Sequence, residues 1–160
     1  MKMYIPEIGD GFRLLQDWNF ELIEEYRNRS LWDLFKGDED PGVVRKRAEC
    51  DALRDRMHVL ERKAGYIYGY QKQILSAEEY EEMQTLRNTV YNVNFRTFKI
   101  DATLPAGSEL TIDRIYIRKG SSDWSSITFY LQKHPQAIFK KKPRFWVKLA
   151  DCNQIEFEPV

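Results

Sequence analysis

The spacing of apolar residues changes period twice along the chain, and the changes mark its elements. In "GFRLLQDWNFELI", Phe12, Leu14, Trp18, Phe20 and Leu22 fall at every second position, interrupted only at Gln16. Period two predicts one strand or two short ones. The preceding "IPEIGDGF", with Pro6, Gly9 and Gly11, reads as an entry turn.

The period then lengthens. Asp40 and Pro41 supply an N-cap and a first helical residue. Cys50, Leu53, Met57, Leu60, Ala64 and Ile67 follow at spacings of three and four, a heptad-like seam. Ser76 and Glu79 have the spacing of a capping box, and Tyr80, Met83, Leu86 and Val90 give a second apolar face. Two such faces predict an antiparallel helical hairpin over 40–91. A first helix continuous from 43 to 75 would run ~50 Å, twice its partner. Either it breaks at Gly65 or its tip projects, carrying Tyr66, Tyr68 and Tyr70 toward solvent or a partner chain. The seam itself reads as internal packing or as a homodimer interface.

From about Val93 period two returns. Phe98 and Ile100 alternate, and "LPAG" makes a turn. Leu110 and Ile112 keep one phase and Ile115 and Ile117 the other, so a bulge is expected near Asp113–Arg114. Ile127, Phe129 and Leu131 form a strand; Phe145, Val147 and Leu149 form the next. "ADCNQ" reads as a single helical turn before a last strand at Ile155 and Phe157. The expected fold is α+β: a small, strongly bent barrel of five to six short strands from 4–36 and 93–160, with the hairpin inserted.

The phrases "IPEIGDGFRLLQDW", "LPAGSELTIDRIYIRKG" and "RFWVKLADCNQIEF" resemble SH3-like small barrels, in which a short helical turn commonly precedes the last strand. They are also similar to small proteins of bacteriophages and mobile elements. The resemblance covers about 4–24 and 93–158 and not the helices. It implies a non-enzymatic phage-type module that binds a protein partner, including inhibition of a host defence system, in the host cell cytoplasm. It implies no catalytic residues.

Charge changes the picture further. The chain is neutral overall, but residues 1–89 hold 14 Lys and Arg against 18 Asp and Glu, and residues 90–150 hold 11 against 4. The second half is a candidate anion-facing surface. Lys140, Lys141, Lys142 and Arg144 lie in the connection between two strands, and Arg114, Arg118, Lys119 and Trp124 lie in the same half. Together they could bind nucleic acid, bases stacking on the aromatics, or hold a small anion such as a nucleotide. Lysine and proline beside a strand also block edge-to-edge pairing without any ligand. Arg45, Lys46 and Arg47 oppose a helix dipole. With Arg54, His58 and Arg62 they form either an anion patch or, since Asp51 and Asp55 interrupt them, a mixed solvated face.

Candidate catalysis is thin. His58 and His134 sit in no metal or nucleophile motif, and there is no phosphate-binding glycine loop or CxxC pair. Glu78, Glu79, Glu81 and Glu82 suit a helix N-terminus better than a metal site. No enzyme, cofactor or metal is therefore expected. Cys50 and Cys152 read as reduced thiols, and no apolar run of signal or membrane-spanning length occurs, so a soluble cytoplasmic protein is expected.

Overall fold

The computed structural model describes residues 6–65, 74–119 and 125–160. They divide into two compact units, Met1–Asp38 with Lys99–Val160, and Glu39–Phe98. Among the described residues the fold is α+β, with five α-helices and two antiparallel sheets.

The first unit contains β1 (Gly11–Leu14), β2 (Trp18–Ile23), a 3-10 turn (Tyr26–Asn28) and α1 (Arg29–Leu34). After the second unit it resumes with β3 (Lys99–Leu104), β4 (Glu109–Tyr116), β5 (Ser126–Lys133), β6 (Arg144–Lys148), α5 (Leu149–Cys152) and β7 (Phe157–Pro159). One sheet has the order β6-β5-β4-β1-β7, and β2 pairs with β3 in a second. The alternation works as the sequence pattern requires: β3 is exposed and buried at alternate positions from Lys99 to Leu104. Between the sheets, the inward residues build an aromatic core. Trp18 lies 5.8 Å from Phe129, and Phe20 stacks on Phe145 at 5.8 Å. Leu14, Leu22, Leu104 and Leu110 fill the remainder.

The expected barrel is not closed by a continuous ladder among the described residues. Two side chains occupy the edges that closure would use. Asn28 Oδ1 accepts from the Trp146 N–H at 2.7 Å, so β6 meets the 3-10 turn instead of another strand. Asp151 of α5 accepts from the Glu21 N–H, and its carbonyl accepts from Trp18 Nε1 at 2.9 Å. The predicted bulge is present: β4 shifts register against β5 between Ile112 and Arg114.

The second unit contains α2 (Pro41–Lys63), α3 (Ala77–Val90) and α4 (Val93–Arg96). Asp40 accepts from the N–H groups of Gly42 and Val43, with Pro41 as the first helical residue. The break alternative holds for α2, which ends at Lys63 with Gly65 at φ +76°. Glycine has no Cβ to oppose that conformation. Met57 and Leu60 pack on Met83, Leu86 and Val90, with Leu53 and Ala64 alongside. Tyr80 departs from the expected seam and is exposed. Lys46 Nζ donates to the carbonyls of Asn94 and Thr97, and Lys46 and Arg47 lie over the Phe98 ring. Two of the three basic residues at the start of α2 thus have internal work.

The capping box of α3 carries a pH prediction. Hydrogen bonds from Lys63 and from the Ser76 N–H hold the Glu79 carboxyl below its ordinary value of 4.5. A depressed carboxylate contributes fully above its unfolded value and loses the contribution as pH falls through its folded one. Acid titration by circular dichroism should therefore show the wild type losing stability below pH 4.5 more steeply than Glu79→Gln. Parallel curves would remove Glu79 from the account.

Candidate functional site

The bulge in β4 decides which side chains face outward. Leu110 and Ile112 point into the core before it; after it, Ile115 takes the inward phase, opposite Ile127. Arg114 and Tyr116 are thereby turned to the outer face. Cross-strand pairing then sets them in rows. Arg114 lies opposite Thr128, which lies opposite Trp146; Tyr116 lies opposite Ser126. Arg118 follows at the end of the strand, its N–H donating to Ser125 Oγ at 3.2 Å.

Across β6 the 3-10 turn delivers Arg27. Its guanidinium carbon sits 5.5 Å from the centre of the Trp146 ring and 6.0 Å from that of Tyr26. Such a stack contributes ~0.5–2 kcal/mol depending on desolvation. Glu25 holds the pair in place: it accepts from Arg27 Nε and from Trp146 Nε1. The turn is itself anchored by Asn28, which is fully buried and donates to the Ile23 carbonyl.

The result is a groove of about 380 Å³ lined by Arg27, Arg114, Arg118, Tyr116, Trp146 and the hydroxyls of Ser126 and Thr128. Arg27 is paired with Glu25 at 2.8 Å, but the other two arginines of the groove differ from the remaining arginines of the unit. Arg13 is paired with Glu109 and Glu158, Arg29 with Asp33 and Asp38, and Arg144 with Asp113. The side chains of Arg114 and Arg118 have no carboxylate partner among the described residues. The arrangement can take an anion on the guanidinium groups and a flat ring on the aromatics.

The expected site residues therefore separate. Arg114 and Arg118 come together in the groove. Arg144 shares the outer face but is held by Asp113 at 2.7 Å, which keeps its guanidinium above its ordinary pKa. Lys119 is exposed and lines no part of the groove. Lys140, Lys141 and Lys142 are exposed on the β5–β6 connection, where Lys142 donates to Gln132. Burial lowers the pKa of His134 in that connection, which favours its neutral form. Trp124 and the tip residues Tyr66, Tyr68 and Tyr70 lie outside the described residues, and with them the site proposed for a protein partner.

Sequence reasoning missed Arg27, Tyr116, Trp146, Ser126 and Thr128. One signal was available for Tyr116, which falls between two expected arginines at period two. None was available for Arg27, which meets Trp146 only through the fold.

Among the described residues, no three His, Cys, Asp or Glu side chains group to hold a metal. Burial, with the charge of Asp151 second, pushes the Cys152 thiol up to about 12, which leaves it protonated at neutral pH. Both cysteines are free. No described helix is long and apolar enough to cross a membrane. No protein family, curated protein or solved structure matches the chain.

Proposed function

We propose that this protein binds nucleic acid through the outer face of β4, β5 and β6. The observation that carries the reading is the convergence of Arg27, Arg114 and Arg118 on one groove with Tyr116 and Trp146. Cations track a phosphate backbone and rings stack bases, each stacked base contributing ~1–3 kcal/mol. The lysines of the β5–β6 connection extend the positive field beyond the groove without entering it. An SH3-like barrel remains the finer proposal for the fold, supported by α5, a single turn that leads into the last strand.

A labelled oligonucleotide, titrated by fluorescence anisotropy at several salt concentrations, tests the function. Each phosphate contact on a single strand contributes about −0.7 to the slope of log K against log salt. The double variant Arg114→Ala/Arg118→Ala should flatten that slope by about 1.4 and weaken binding most at low salt. Wild-type affinity and slope in the double variant would discard the groove as the interface. Free nucleotides competing as well as the oligonucleotide would instead identify a small anionic ligand.

A further inference from the structure

Resting on the nucleic-acid reading, we infer that the ligand is a single strand, one of whose unpaired bases stacks on Tyr116 while Arg114 and Arg118 hold the phosphates on either side. The three residues alternate along β4 and its extension, so they share one face with the ring between the two cations. Along the strand, Arg114 and Tyr116 are about 7 Å apart. Arg118 is kept in line by the bond from its N–H to Ser125 Oγ.

Three observations favour a base over phosphate alone. Tyr116 is 56% exposed, and its ring has no aromatic or cationic partner among the described residues, whereas Trp146 is already covered by Arg27. Ser126 lies directly opposite Tyr116, and Thr128, itself buried, opposite Arg114, so polar residues flank the ring on its face of the sheet. The groove, at about 380 Å³, suits one nucleotide and not a helix. Within a duplex both faces of each base are stacked on its neighbours, so it offers Tyr116 no free ring face. The lining hydroxyls and cations accept either sugar, so DNA and RNA share the chemistry.

The test compares four probes on the full chain: a short oligo-dT, an oligo-rU, a duplex of equal length and a base-free deoxyribose-phosphate oligomer. The single strands should bind at least tenfold more tightly than the duplex and the base-free oligomer, and the dT and rU arms separate DNA from RNA. Tyr116→Ala should bring single-strand affinity down about tenfold, within the range of one stacked base, to the level of the base-free oligomer. Tyr116→Phe should keep it. Equal binding of duplex and single strand, with Tyr116→Ala silent and Arg114→Ala/Arg118→Ala still weak, would overturn this inference and leave the nucleic-acid reading standing. Failure of every probe would overturn both.

Discussion

Replacement of Asn28 by Leu is expected to destabilise the first unit by about 4 kcal/mol, since each buried polar group left without its partner costs ~1–3 kcal/mol and two are orphaned. Leucine keeps the branching and the number of heavy atoms, with methyl groups bulkier than the amide, so overpacking can only add to the cost. The loss is chemical. Asn28 is fully buried, its Oδ1 accepts from the Trp146 N–H at 2.7 Å and its Nδ2 donates to the Ile23 carbonyl at 3.0 Å. The side chain behaves as a short piece of backbone, completing the edge of β6 where a barrel would have placed a strand. For a unit of this size, a loss of that order lowers the melting midpoint by roughly 15 °C or more. Calorimetry reads the midpoint, and hydrogen exchange at the Trp146 amide reads the bond. At temperatures where the variant is still folded, groove affinity should also fall, because Arg27 and Trp146 depend on the same turn. A loss under ~1 kcal/mol, with the Trp146 amide still protected, would mean that water or a shifted backbone replaces the amide side chain.

That dependence explains what could and could not be read from the chain. The two long helices of the second unit were legible because each signal is local, whereas α4 falls where a return to period two was expected. Asp40 with Pro41, Ser76 with Glu79, and the run Leu53, Met57, Leu60 are all defined within a few turns of one helix. The bulge was legible for the same reason, since a phase slip between Ile112 and Ile115 needs only the strand itself. The groove was legible only in its β4 part. Arg27 and Trp146 stand 119 positions apart, and their stack exists because Asn28, next to Arg27 but 118 positions from Trp146, ties the turn to β6. The 3-10 turn and α1 were not predicted either. Six helical residues carry too short a period to stand out, and their apolar pair Leu31 and Trp32 reads equally as a strand fragment. The lysine run drew attention by composition. Charge density along a sequence does not say which cations converge, and here the convergent ones are the scattered arginines.

Substitution of Gly37 by Ala is expected to cost at least as much as ordinary overpacking, ~1–3 kcal/mol, and more if the neighbouring ring cannot yield. A Cβ at this position would stand 2.3 Å from Trp32 Cε2, 2.5 Å from Cδ2 and 2.7 Å from Nε1. The ring has few ways to move. Trp32 is fully buried, and its Nε1 donates to Asp38 Oδ1 at 2.9 Å while Asp38 also receives Arg29. Yielding would break that bond and drive a rigid indole into a close-packed core. The clash predicts a specific coupling. Trp32→Phe alone removes the indole N–H and the outer part of the ring, leaving a cavity and taking one donor from Asp38, which keeps Arg29, and should destabilise by several kcal/mol. In the double variant, the smaller phenyl ring can shift away from position 37 into the space the indole filled and so relieve the alanine methyl. Its loss should therefore be smaller than the sum of the two single losses by at least ~1 kcal/mol, the scale found for residues in contact. Urea denaturation of the four proteins measures the cycle. Strict additivity would mean that the backbone at Lys36 and Gly37, rather than the indole, absorbs the methyl. Since α1 packs on β6, the strand that carries Trp146, the same cycle read through oligonucleotide affinity would report how far strain at Trp32 reaches the groove.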